Sequence, residues 1–244
     1  MRQPRACGHA HSPCQELAPP AIIQRMTGAW WRVIPAVLVP AVSVAAAADV
    51  YAVNPEAGNN TFSAVFDAPL GERINAVSSE VACDLTYDAP SLSAGGSCSV
   101  PLTSIRVDGD ATKTEHFQQW ATNKKVEPTN CRFALALQSV KVSAPLKAGE
   151  AVPFTASGTF TICGRQRSPS GPEAIRGTVM LFPPGTYGEA QTLRIRAHID
   201  AFDRESYGIS PKATAGWLAR VQQLAPVVAA KGDIDFSLFA RLKP

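Results

Sequence analysis

The residues of this 244-residue chain best suited to metal or redox chemistry are its six cysteines and four histidines. Cys7, His9, His11 and Cys14 lie close together near the start and have zinc-ligand character. They precede a segment expected to be removed on export, so no metal site is assigned to them. The remaining histidines, His116 and His198, are too few for a zinc site, which takes three or four protein ligands from converging elements. His198 alternates with Arg196 and Asp200 on the polar side of a strand pattern, which reads as a solvated face. His116 sits beside Glu115 in a helical stretch, where a local hydrogen bond or a helix-end charge is the expected role. Asp200, Asp203 and Glu205 supply acid groups, but nothing nearby pairs a nucleophile with a base. The serine-rich run from Ser91 to Ser99 reads as a loop rather than a nucleophile elbow, and no glycine-rich phosphate loop opens a helix after a strand. The chain is therefore not expected to be an enzyme, and neither a catalytic residue, a metal nor a cofactor is assigned.

Cys83, Cys98, Cys131 and Cys163 form an even set in the rest of the chain, which in an exported protein points to two disulfides. Four cysteines allow three connectivities. Hairpin logic favours Cys83–Cys98 and Cys131–Cys163, each pair flanking one loop. For the first pair the parity agrees, because Val81, Cys83 and Leu85 share one face and Cys98, Val100 and Leu102 another. For the second it does not quite agree: Cys131 goes with Phe133, whereas Cys163 goes with the polar Thr161, so a bulge or an irregular strand start is required. A zinc site is the competing reading, and the chain holds no CxxC pair to support it.

Compartment follows from the stretch that starts at Met26. Arg32 supplies a positive n-region, Val33 to Val44 an apolar segment broken by Pro35 and Pro40, and Ala45 to Ala48 the small residues of a cleavage site before Asp49. This is the pattern of a secretory signal peptide. It is too short and too interrupted for a membrane span of about 20 apolar residues, and no cysteine follows the cleavage site to take a lipid. Residues 1–25 are expected not to be translated, residues 26–48 to be removed, and residues 49–244 to form one folded domain in the periplasm or outside the cell. Removing Arg2, Arg5, Arg25 and Arg32 lowers Lys+Arg from 23 to 19, and removing Glu16 lowers Asp+Glu from 20 to 19, so the mature net charge is zero. Nucleic acid and anionic membrane surfaces are not expected partners.

The mature part reads as strands. Cys131 to Cys163 carries two alternating runs, Phe133/Leu135/Leu137 and Phe154/Ala156/Gly158/Phe160/Ile162, around Pro145, Gly149 and Pro153, which is the pattern of an antiparallel hairpin. By itself this hairpin reads more readily as part of a sandwich core than of a barrel with room for a ligand. Further strands are expected over 51–54, 61–67, 77–87, 98–107, 175–182, 191–202 and 233–242. Helical spacing is expected in Asp110–Thr122, with Asp110 as cap and Phe117 and Trp120 on one face, and again in Pro211–Leu224. About eight strands in meander order with two short helical insertions fit an all-β, antiparallel up-and-down barrel, and a barrel of that size can hold one small ligand.

Three stretches in this order resemble the YceI-like family of extended lipocalin-like barrels. Val100–Asp110 followed by Glu115-His116-Phe117 is similar to the family's strand and short-helix step. Ser157–Gly164 resembles its glycine-bearing strand, and Asp203–Ile209 its arginine-containing turn before the closing strands. The likeness covers about residues 49–242. Glu115 stands where the family has Asp, Cys163-Gly164-Arg165 where His-Gly-Val is common, and the cysteine pairs are not a general family feature. The resemblance implies an exported carrier or binder of an isoprenoid-type amphiphile, such as a polyprenyl chain or quinone tail, without a catalytic centre.

Alternation places Phe62, Phe66, Val81, Leu85, Leu102, Phe133, Leu135, Leu137, Phe160, Leu193, Ile195, Phe236 and Leu238 inside. These are the candidate ligand-binding residues. Small residues at Ala156, Gly158, Ala197 and Ala240 are expected to leave space among them. The other reading is a structural or interaction protein whose barrel is filled by its own side chains. A homodimer is compatible with the sequence.

Overall fold

The structure is a computed structural model that describes residues 48–57, 59–123, 125–210 and 228–244. The expected signal segment and the expected helix over 211–224 lie outside the described residues. In chain order the strands are β1 (Asp49–Val53), β2 (Thr61–Asp67), β3 (Arg73–Ser78), β4 (Ala82–Asp88), β5 (Ser93–Pro101), β6 (Arg106–Val107), β7 (Arg132–Val142), β8 (Ala151–Ile162), β9 (Glu173–Phe182), β10 (Thr192–Asp203) and β11 (Lys231–Leu242). The one α-helix among the described residues, α1 (Ala111–Thr122), lies between β6 and β7.

The sheet closes on itself. Strands β1, β4, β5, β7, β8, β9, β10 and β11 pair in that order, all antiparallel, and β1 returns to β11 through Tyr51↔Leu242 and Ala52↔Arg241. Closure removes the edges that a sandwich would expose, and the interior is a packed barrel rather than the sandwich core the central hairpin suggested alone. On the side where it meets β1, β11 has a further partner. Its first half, Gly232 to Ser237, pairs with β2, which continues into β3 and β6. Between the two halves the buried Asn60 stands in for backbone: its Oδ1 accepts from Phe239 N at 2.8 Å, and its Nδ2 donates to the Asn54 carbonyl at 2.9 Å.

Several expected boundaries move, each for a local reason. The single strand expected over 77–87 is two strands, because Ser78 Oγ accepts from Glu80 N and Val81 N bonds Ser79 O, turning the chain between them. Val77 thus belongs to the β2–β3 extension and Val81 begins the approach to β4. The loop expected over Ala89–Gly96 ends earlier, and β5 starts at Ser93. Its glycines allow this: Gly96 has φ +125° at the irregularity between Ala94 and Gly96, and a Cβ there would lie 2.1 Å from Asp84 O. At its other end the strand expected through Val107 stops at Pro101, and Leu102 sits fully buried on a 3-10 turn.

Both disulfides form as hairpin logic suggested, Cys83–Cys98 directly across β4–β5 and Cys131–Cys163 at the base of β7–β8. The parity conflict of Cys163 is resolved by an irregular strand end. Cys163 lies just beyond β8 with φ +49°, and its N–H bonds Arg132 O. Helix α1 starts where expected. Asp110 caps it by accepting from Lys113 N at 2.8 Å, and its last turn is tied to the same corner by the Arg165 guanidinium, which donates to Ala121 O.

Candidate functional site: two chambers in one barrel

The inward faces of the strands leave two separate spaces. The smaller, of about 90 Å³, lies toward the barrel end that carries the β4–β5, β7–β8 and β9–β10 connections. Its walls include Tyr51, Leu146 and Phe154. The larger, of about 330 Å³, lies at the opposite end beneath α1, bounded by Ala64, Phe66, Phe117, Trp120, Phe133 and Ile234. An engineered apolar cavity of about 150 Å³ takes benzene, and ligand pockets begin at about 300 Å³. By that scale only the helix-end chamber admits a ligand of useful size without repacking.

The thirteen candidate residues are all inside or partly inside, but they divide. Leu85, Leu135, Leu137, Leu193, Ile195, Phe236 and Leu238 line the small cavity. Phe66 and Phe133 line the large one. Phe62, Val81, Leu102 and Phe160 are fully buried and line neither. Of the four small residues only Ala197 lines either cavity. At Gly158 the room is taken: a Cβ there would meet Leu135 Cδ1 at 2.9 Å and Ala136 O at 2.8 Å. The sequence reading missed most of the larger chamber. Phe117 and Trp120 were visible as a helical face, but period alone does not show that the helix lies across a barrel end.

The rim of the helix-end chamber is charged. Lys113 Nζ bonds Glu72 Oε1 and Asp108 Oδ2, each at 2.8 Å, and these partners raise the lysine pKa. Burial works against the charge on Asp108, but the hydrogen bonds from Lys113 and from Asn75 N outweigh it and hold its pKa low. His116 is exposed and lies parallel to Trp120, with ring centres 6.4 Å apart, rather than bonding Glu115, which instead accepts from Gln119. Deeper in, Arg204 is 5 % exposed, and its guanidinium donates to the carbonyls of Ala229 (3.0 Å), Ile209 (2.5 Å) and Val228 (2.6 Å). Burial lowers its pKa, yet an arginine stays cationic. It pins together two segments that border the chamber.

On the barrel's outer face His198 bridges two carboxylates, Nδ1 to Asp235 Oδ1 at 2.7 Å and Nε2 to Asp200 Oδ1 at 2.9 Å. Arg176 bonds the same Asp200 oxygen at 2.6 Å. Although His198, Asp200 and Asp233 come within metal-ligating distance of one another, both ring nitrogens and Asp200 are already committed. The group is a network of surface ion pairs, as the solvated-face reading held. The hydrogen bond to Asp235 leads the effects that raise the His198 pKa, ahead of burial, which opposes it.

No family model matches the sequence, and no curated protein does. Nine solved chains are similar in structure. One is a polyisoprenoid-binding domain from Saccharophagus degradans, described as implicated in plant cell wall breakdown. It matches with a TM-score of 0.52 at 13% identity, over 81% of this chain and 100% of that one. The shared feature is the fold.

Proposed function

We propose that this protein is an exported binder or carrier of an apolar amphiphile of the isoprenoid type, its tail inside the barrel and its polar end at the rim under α1. The carrying observation is the 330 Å³ apolar chamber with a charged rim. Its walls offer aromatic and aliphatic surface, and burial of a hydrocarbon tail contributes about 25 cal/mol per Å². The polyisoprenoid-binding neighbour of the same fold supports the ligand class. The signal-like stretch before Asp49 and two formed disulfides support export, since disulfides persist in oxidising compartments.

Trp120 lines the chamber and serves as the reporter. In protein starting at Asp49, with Trp217→Phe to leave Trp120 as the sole tryptophan, farnesol or a prenylphenol should change the emission saturably. Ala64→Phe, which fills the chamber from β2, should abolish the change. Thr159→Glu, on the outer face of β8, should leave it intact. Equal binding by the folded Ala64→Phe protein would remove the ligand from this chamber. No response in the parent would favour the filled-barrel reading.

A further inference from the structure

The two chambers share no lining residue, and the boundary between them is one side-chain layer thick. Along β11, Ile234 faces the large chamber and Phe236 the small one. Along β7, Phe133 faces the large one and Leu135 the small one. Residues two apart on a strand face are about 7 Å apart, room for a single ring seen across its width. The layer itself contains Phe62, which is fully buried, touches both sides and lines neither. Its ring centre is 6.0 Å from Phe133 and 5.3 Å from Phe236. Phe133 is held in turn by Phe160 at 6.1 Å and Phe117 at 5.9 Å, and Phe160 is backed by Phe202 at 5.2 Å and Tyr207 at 5.9 Å. Phe133 and Phe160 each make three edge contacts, so moving either ring breaks three at once.

We propose that this aromatic layer, centred on Phe62 and Phe133, is a length stop that makes the protein a binder of short isoprenoid chains. This rests on the binding function proposed above and specifies its ligand. A chamber of 330 Å³ corresponds to roughly eleven groups the size of a water or a methylene, at about 30 Å³ each. A geranyl tail of ten carbons fits that space, and a farnesyl tail of fifteen fills it with its head-end carbons left at the rim. A longer polyprenyl tail must either leave isoprene units in solvent or break the ring layer to reach a second cavity of only 90 Å³. Specificity for length then comes from a wall and not from a polar contact, as a filled pocket rejects added methylenes.

The test is a titration series of prenyl alcohols of one headgroup, from geranyl through farnesyl and geranylgeranyl to octaprenyl, followed by Trp120 emission and by calorimetry. The parent should gain affinity up to farnesyl and none beyond. Phe62→Ala should join the chambers and gain about tenfold or more on adding the next isoprene unit, since each buried methylene contributes strongly. Phe62→Leu gives the same direction with less loss of packing should the alanine variant fail to fold. Ala197→Leu, which fills the small cavity, should leave the parent's farnesol affinity unchanged and cancel the gain of Phe62→Ala. A parent whose affinity keeps climbing to octaprenyl overturns the length stop and leaves the binding function standing. A parent that binds no member of the series overturns both.

Discussion

At the scale of single residues, Asn60 shows how a polar group earns a place in an apolar interior. One side chain replaces two missing backbone partners where β11 passes from β1 to β2. Asn60→Ala leaves the Phe239 amide and the Asn54 carbonyl without it, and an unmet buried polar group costs about 1–3 kcal/mol. Urea melts should show a loss in that range. His198 gives a pH-dependent prediction. Its folded pKa lies above the usual 6.5, mainly through Asp235, so its contribution to stability is complete below pH 6.5 and is lost as pH rises through the raised folded value. Asp200, Asp233, Asp235, Arg176 and Arg196 surround it on β9, β10 and β11. The stability difference between the parent and His198→Gln should therefore shrink from acid to alkaline pH. A constant difference across that range contradicts the ion-pair account. Period-two alternation placed His198 on the outer face, but its bond to Asp235 depends on the β10–β11 register, which alternation alone does not fix.

Among the elements, the corner that joins α1 to the β7–β8 hairpin is where sequence signals were both strongest and least complete. Alternation from Phe133 to Ile162 located both strands, and the parity of Cys163 signalled an irregularity, which lies at the end of β8 and not at a strand start. Asp110 and the Phe117/Trp120 spacing located the helix. What spacing could not supply was the tie between them, the Arg165 guanidinium donating to Ala121 O. The split of 77–87 into β3 and β4 was hidden for a related reason, since Val77 and Val81 keep the same parity across a turn held by the Ser78 hydroxyl and the Ser79 carbonyl. The Cys131–Cys163 disulfide spans 32 residues, and closing such a loop is worth roughly 3–4 kcal/mol in the chain-entropy model. Cys131→Ser with Cys163→Ser should lower the urea midpoint accordingly, and should weaken farnesol binding more than the Cys83→Ser, Cys98→Ser pair does, because only the first bridge adjoins the helix over the chamber. Equal effects on binding from the two pairs would separate the chamber from this corner.

For the whole molecule, closure of eight strands and division of the interior by one aromatic layer are consequences of register. Alternation names apolar faces, and the structure buries ten of the thirteen candidates and half-buries Phe66, Leu137 and Ile195. Alternation does not say which of them meet across the barrel, so one expected cavity becomes two and the useful one lies at the helix end. The central claim is that this chamber carries an apolar amphiphile. Native mass spectrometry of the protein purified from an exporting host, without detergent, tests it most directly. The parent should show a mass excess matching a short isoprenoid or similar amphiphile, lost on organic extraction, regained on adding farnesol and absent from Ala64→Phe. A parent that stays at its bare mass after incubation with the whole prenyl series, while folded and with both disulfides intact, would contradict it.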